Sequence, residues 1–180
     1  YVQAARRTDG QLVIESQLGH YQAAITSPTP DHRFEFVLHA VAESYNEAAG
    51  LTLTIVSDFE HTLGLGSSAA VSVATIAAIA LLKHQLLYPQ AVMHQAIALV
   101  RHVQGRGSGA DGAASALGGI VEYTANPINA KSVTLPDHVW QQEPAICLVY
   151  CGYKTPTPAV IAQVASAAAK HPQRFAGLYA

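Results

Sequence analysis

Charge is scarce in this sequence. Ten Lys and Arg and twelve Asp and Glu make up 12% of the 180 residues, and the net charge is −2 with histidine neutral. There is no basic run, which argues against a nucleic-acid surface. Half of the residues are hydrophobic, which excludes a disordered chain. Long apolar runs are missing too: the longest, Ala69 to Leu82, is shorter than a bilayer span and includes Ser72 and Thr75, so it reads as a buried helix and no membrane contact is expected. No charged-then-apolar signal segment opens the chain. Cysteine is limited to Cys147 and Cys151, four apart near the end of one expected strand, where a bridge between them is geometrically unfavourable. A reducing cytoplasm is the default compartment for such a chain. The sequence begins at Tyr1 already in a strand pattern and ends at Ala180 just after a helical one, so residues 1–180 are expected to be an excerpt of a longer protein.

What is present is glycine, serine and alanine in two ordered stretches. The first is Gly64-Leu65-Gly66-Ser67-Ser68-Ala69-Ala70, at the mouth of the Ala-rich run Val71 to Leu82. Gly64 and Gly66 let the backbone bend tightly and keep Cβ atoms out of a ligand's way. Ser67 or Ser68 is placed to cap the helix that the run should form. A helix start carries free N–H groups and the positive end of the helix dipole, which together attract an anion. The stretch reads either as an ordinary Gly/Ser cap or as a phosphate cradle. A Walker loop is excluded, because it needs Gly-Lys-Ser/Thr and no lysine precedes Lys83. Gly64-x-Gly66-x-x-Ala69 partly matches the dinucleotide fingerprint. However, Asp58 to Leu63 separates it from the preceding strand, and no acidic residue occurs between Glu60 and Asp111, where that fingerprint needs one.

The periodicities predict an α+β fold, with strands in a mixed sheet and helices over one face. Tyr1 to Arg7, Gln11 to Ser16 and Tyr21 to Ile25 read as strands, with Asp9-Gly10 as a hairpin turn between the first two and Leu18-Gly19-His20 as a second turn. Phe34 to Ala49 has helical spacing, with Gly50 as its stop. Leu51 to Val56 alternates as a strand. The helix from Ser67 should run to about Leu86, and Pro89 should open another that stops before Gly105. A short helix Gly112 to Leu117, strands over Ile120 to Tyr123, Lys131 to Leu135 and Ala145 to Tyr150, a turn at Pro136-Asp137, and a helix Ala159 to Lys170 complete the pattern.

The second stretch is Gly105-Arg106-Gly107-Ser108-Gly109, followed by Asp111 at a helix start, where negative charge is favoured. Asp111 reads as a helix cap or as a catalytic acid/base. Arg106 reads as a solvated arginine or as a group that steadies a phosphate. In Lys154-Thr155-Pro156-Thr157, Thr157 suits a helix cap. The nine histidines include no His-x-x-x-His pair and no Cys/His cluster, so they read as surface residues rather than metal ligands. Gly66-x-Ser68-x-Ala70 lacks the second glycine of a nucleophile elbow, which argues against a serine hydrolase.

Gly64 to Ala70 is similar to the Gly-Leu-Gly-Ser-Ser-Ala-Ala core of the second motif of the GHMP small-molecule kinases. Ser108-Gly109-Ala110-Asp111, with Ala113-Ala114-Ser115 and Gly118-Gly119 behind it, resembles the segment that carries that family's catalytic aspartate. The two occur in the family's order and at about its usual separation. Two departures are visible. No proline lies in Asp58 to Leu63, where the family usually has one. No acid lies on Pro89 to Gln104, where several members carry a metal-binding glutamate; Val100 and Arg101 stand there instead, and Gln104-Gly105 resembles the phosphomevalonate-kinase type.

The resemblance implies a ribosomal-protein-like two-layer N-terminal domain with a left-handed βαβ unit, and transfer of the ATP γ-phosphoryl group to a hydroxyl or phosphate of a metabolite, foremost one of the mevalonate pathway. It implies Asp111 as catalytic residue, Gly64, Leu65, Gly66, Ser67, Ser68 and Ala69 as the ATP phosphate site, and Ser67 and Ser68 as ligands of Mg²⁺. Arg106, Ser108, Gly109, Lys154 and Thr155 are expected towards the substrate. The alternatives are a diphosphomevalonate decarboxylase-like enzyme, a galactokinase-like sugar kinase and a non-catalytic metabolite-binding relative. The expected partner is a small molecule; the oligomeric state stays open, a homodimer included.

Overall fold

The computed structural model describes residues 1–134, 149–150, 152 and 157–177. The chain divides into two units, Tyr1–Cys147 and Leu148–Ala180. In the first, β1 (Val2–Arg7), β2 (Gln11–Ser16), β3 (Gly19–Ala24) and β4 (Gly50–Ile55) form one sheet in the order β1-β4-β2-β3, with α1 (Glu35–Ser44) between β3 and β4 in sequence. β4 runs antiparallel to β1 and parallel to β2, and β2 runs antiparallel to β3, so the sheet is mixed.

The Asp9-Gly10 turn forms, but it does not close a hairpin. Gly10 takes φ +65°, and Asp9 accepts hydrogen bonds from the Gln11 N–H at 3.1 Å and from Arg7 Nε at 2.9 Å. β1 and β2 nevertheless stay apart, because β4 enters between them, pairing Gly50 with Arg7 on one side and Leu51 with Leu12 on the other. Gly50 makes that entry feasible: a Cβ there would stand 2.6 Å from the Gln11 carbonyl oxygen and 2.9 Å from Arg7 Cβ. Its role is therefore close strand packing, not the helix stop expected of it. α1 ends earlier, at Ser44, where Tyr45 turns extended (φ −118°, ψ 104°) and buries its ring. The second turn also differs. Ser16 pairs with Gly19, so Gln17 and Leu18 make the turn and His20 already lies in β3.

α1 and α2 (Ser67–Leu82) pack on the sheet. Phe34, Leu12, Ile14, Leu51, Leu53 and Ile79 are fully buried there, each contributing about 1.5–3 kcal/mol relative to exposure. α3 (Pro89–Gln104) starts on Pro89, where the missing N–H costs nothing, and stops at Gly105, which takes φ +74°. Its apolar face, Val92, Ala96, Leu99 and Val100, meets Ala69 and Ile76 of α2 and Ala40 of α1. α2 thus has the sheet on one side and α3 on the other, which is why it is apolar nearly all round. It ends at Leu82, short of the expected Leu86: Lys83 donates to the Ser44 carbonyl at 3.2 Å and to Asn46 Oδ1 at 3.3 Å, and His84 takes φ +54°.

α4 (Ala110–Leu117) leads into β5 (Ile120–Ala125) and β6 (Ile128–Val133), an antiparallel pair. β6 begins at Ile128 rather than Lys131. Met93 and Ile97 of α3, Ala113 of α4 and Ala130 of β6 form the cluster that holds this part. The second unit contains α5 (Thr157–Lys170) and α6 (Pro172–Ala176). The Pro136-Asp137 turn, Cys147, Cys151 and the expected strand Ala145 to Tyr150, apart from Val149 and Tyr150, lie outside the described residues. Among the described residues, no helix is long and apolar enough to cross a membrane.

Candidate active site

The two glycine stretches are far apart in sequence and meet in space. A short 3₁₀ turn, His61–Leu63, delivers the chain to Gly64 (φ +77°) and Gly66 (φ +72°), both in the left-handed region. Gly66 is the N-cap of α2, and no side chain caps the helix. This corrects the expectation that Ser67 or Ser68 would do so. Ser67 Oγ instead donates to the His61 carbonyl at 3.4 Å, and Ser68 Oγ accepts from Gln104 Nε2 at 3.5 Å. The first intrahelical bond runs from the Ala70 N–H to the Gly66 carbonyl at 3.0 Å. The N–H groups of Ser67, Ser68 and Ala69 precede it and have no partner within the helix. They mark the positive end of a 16-residue helix.

Asp111 stands in the first turn of α4, behind Gly109 as N-cap. Its Oδ1 accepts the Gly112 N–H at 3.0 Å. A Cβ on Gly66 would lie 3.2 Å from Asp111 Cβ and 3.8 Å from Asp111 Oδ2. The carboxylate therefore abuts the backbone at the mouth of α2, an approach that a side chain at position 66 would obstruct. Asp111 is exposed, so a ligand has access to it.

The second stretch is held from behind. Arg101 of α3 donates from Nε to the Gly107 carbonyl at 2.9 Å and from a terminal nitrogen to the Ser108 carbonyl at 2.8 Å. Tyr123 of β5 donates its hydroxyl to the same Ser108 carbonyl at 2.6 Å. Gly109 (φ +93°) is packed so closely that a Cβ would lie 2.7 Å from the Tyr123 hydroxyl and 2.8 Å from Ile97 Cγ2. Ser108 Oγ accepts the Ala110 N–H at 3.3 Å. Arg106 is exposed on this loop. Lys154 and Thr155 lie outside the described residues. Sequence reasoning noted Arg101 only as standing where relatives carry a metal-binding glutamate, and it missed Gln104 as the partner of Ser68 and Tyr123 as a support of the loop, because nothing local in the sequence shows those pairings.

Among the described residues, no group of three or more His, Cys, Asp or Glu side chains stands ready to hold a metal. Mg²⁺ does not require one, since it takes one or two carboxylates and completes its shell with phosphate oxygens and water. The Asp111 carboxylate and the Ser67 hydroxyl at the cradle's mouth are hard oxygen donors of that kind. A shallow groove in the second unit, lined by Ala162, Gln163, Ser166, Ala167, Lys170 and His171, contains none of these residues.

Residues 33–119 match the family model described as the GHMP kinases N terminal domain, a span that includes both glycine stretches and Asp111. The class of protein follows for that stretch: residues 33–119 belong with the N-terminal domains of the GHMP kinases. Within that class the chain is similar to the mevalonate kinase of Thermococcus sibiricus, 33% identical over 127 residues, covering 71% of this chain and 36% of the relative. The crystal structure of Methanococcus jannaschii mevalonate kinase shares the fold, with a TM-score of 0.63 at 15% identity over 74% of this chain and 45% of that one. So does Streptococcus pneumoniae phosphomevalonate kinase, solved in complex with phosphomevalonate and AMPPNP, with a TM-score of 0.55 at 18% identity over 71% of this chain and 42% of that one. The chain spans about a third of the length of the Thermococcus relative and under half of the two solved chains.

Proposed function

We propose that the protein transfers the γ-phosphoryl group of ATP to a hydroxyl or phosphate group of a small metabolite of the mevalonate pathway. The observation that carries this reading is the approach of Asp111 to Gly66 at the uncapped start of α2. Phosphoryl transfer needs positioned phosphates and neutralised charge more than covalent chemistry. The N–H groups of Ser67, Ser68 and Ala69 supply donors for the β- and γ-phosphates, and the glycines at positions 64 and 66 leave room for them. Asp111 then accepts the proton of the attacking hydroxyl at its carboxylate. Ser67 and Ser68 are the residues that would hold Mg²⁺ beside the nucleotide, and the ion, when bound, would offset phosphate charge. Arg106 is proposed to face an anionic acceptor, for which a charge-assisted contact suits arginine. The similarity to mevalonate kinases supports this choice over a neutral sugar. We place the enzyme in the cytoplasm.

The test uses the full-length protein with ATP and a panel of mevalonate, phosphomevalonate, galactose and homoserine. Asp111→Asn should lower turnover by about 10²-fold or more, the scale for loss of a general base, with ATP affinity little changed. Near-normal turnover in that variant would leave Asp111 as a first-turn acid favoured by the helix dipole. Release of CO₂ coupled to ATP consumption would instead show the decarboxylase.

A further inference from the structure

We infer that Arg101, assisted by Tyr123, is the positioning residue of the site: it fixes the 105–109 loop so that Asp111 is held against the mouth of α2. This rests on the reading of Asp111 as the proton acceptor. The loop has little stiffness of its own. Gly105, Gly107 and Gly109 take φ values of +74°, +154° and +93°, so three of its five residues occupy backbone regions that only glycine enters readily. Such a segment has many conformations to lose on ordering. What it has instead of side-chain packing is two carbonyls captured from outside. The Arg101 guanidinium is a rigid fork, and it takes consecutive carbonyls, Gly107 at 2.9 Å and Ser108 at 2.8 Å. The Ser108 carbonyl is also held by the Tyr123 hydroxyl at 2.6 Å. The next residue, Gly109, is the N-cap of α4, whose first turn carries Asp111. The clamp therefore acts two residues upstream of the helix that aims the carboxylate.

Arg101 is committed to this task. None of the ion pairs among the described residues includes it, and both of its hydrogen bonds go to loop carbonyls. Arg101 and Tyr123 come from α3 and β5, and Val121 and Tyr123 of β5 pack against the cluster that Met93 and Ile97 of α3 form with Ala113 and Ala130, so the clamp is anchored to packed structure. Ala113 packs α4 against α3, while the clamp sets the loop at the start of α4 where Asp111 stands, and small misplacements of a reacting group cost large factors in rate.

The experiment is a double-mutant cycle on the full-length protein, with steady-state turnover and the thermal midpoint measured for Arg101→Gln, Arg101→Lys, Tyr123→Phe and Asp111→Asn, and for Arg101→Gln combined with Asp111→Asn. Arg101→Gln should lower kcat about tenfold with the KM for ATP nearly unchanged. Arg101→Lys should recover part of the loss, since lysine can reach one carbonyl but not both. Tyr123→Phe should show a smaller loss of the same kind. In the Asp111→Asn background, Arg101→Gln should change kcat no further, because an arginine that acts through Asp111 has nothing left to aim. Three results would overturn the inference: wild-type kcat in Arg101→Gln, an undiminished tenfold loss in the Asp111→Asn background, or losses that follow the thermal midpoint across the set. If Asp111→Asn alone retains turnover, the aspartate reading fails first, and this inference falls with it.

Discussion

Replacing each of the two cradle glycines by alanine separates backbone strain from the contact with Asp111. Gly64 and Gly66 have nearly the same backbone, φ +77° and +72°. An L-residue in that region costs about 1–2 kcal/mol, so both alanine variants should lose stability by that amount, and a domain of this size loses about 2–4 °C per kcal/mol. Their surroundings differ. A Cβ on Gly64 meets nothing within 4 Å, whereas one on Gly66 stands 3.2 Å from Asp111 Cβ. Carbon atoms pack best at about 3.5–4.0 Å, so Asp111 must retreat by a few tenths of an ångström in Gly66→Ala and need not move in Gly64→Ala. A small displacement of Asp111, the proposed proton acceptor, should cost about tenfold in kcat. The assay is thermal unfolding plus steady-state turnover of the two variants side by side. The expected result is matched destabilisation with turnover lost mainly in Gly66→Ala. Equal turnover in two variants of equal stability would refute the contact between Gly66 and Asp111.

Gly50→Ala should be more damaging than either, by about 3 kcal/mol, because its Cβ would meet two Gln11 backbone atoms and Arg7 Cβ at 2.6–2.9 Å; urea unfolding measures it, and a near-wild-type midpoint would contradict the strand order. Thr75→Val should raise stability by about 1 kcal/mol, since Thr75 is fully buried and its Oγ1 finds no partner among the described residues; a lower denaturation midpoint would mean the hydroxyl is bonded after all. The Asp9 carboxyl is held down to about 2, from an ordinary 3.8, chiefly by its hydrogen bond from Arg7. A depressed acid stabilises the fold above its unfolded value and loses that contribution as pH falls through the folded one. The thermal midpoint should therefore fall from about pH 4 towards pH 2 more steeply in the parent than in Asp9→Asn; parallel curves would show the ion pair to be energetically silent.

Much of the candidate site was legible because its ingredients are local. A helix beginning at Ser67 follows from glycines before an apolar run, and the start of α3 follows from Pro89. Asp111 in a helix's first turn follows from the glycines that precede it. The capping serines did not hold, because Ser67 and Ser68 found the His61 carbonyl and the Gln104 amide instead of the helix N–H groups. Propensity for a cap states what a side chain can do, not which neighbour reaches it first.

The sequence by itself determined most of the strands and helices, the two glycine stretches and their order, because each depends on residues within a few positions of one another. Tertiary structure alone decided which strands pair. Asp9-Gly10 has good hairpin chemistry, yet β4 intrudes between the strands it joins, since burying Leu51 and Leu53 in the centre of the sheet outweighs a local turn preference. It alone brought Asp111 to Gly66 and set Arg101 and Tyr123 behind the loop. Those contacts join residues on separate elements, and only the packing of α2, α3 and α4 around shared apolar clusters makes them neighbours.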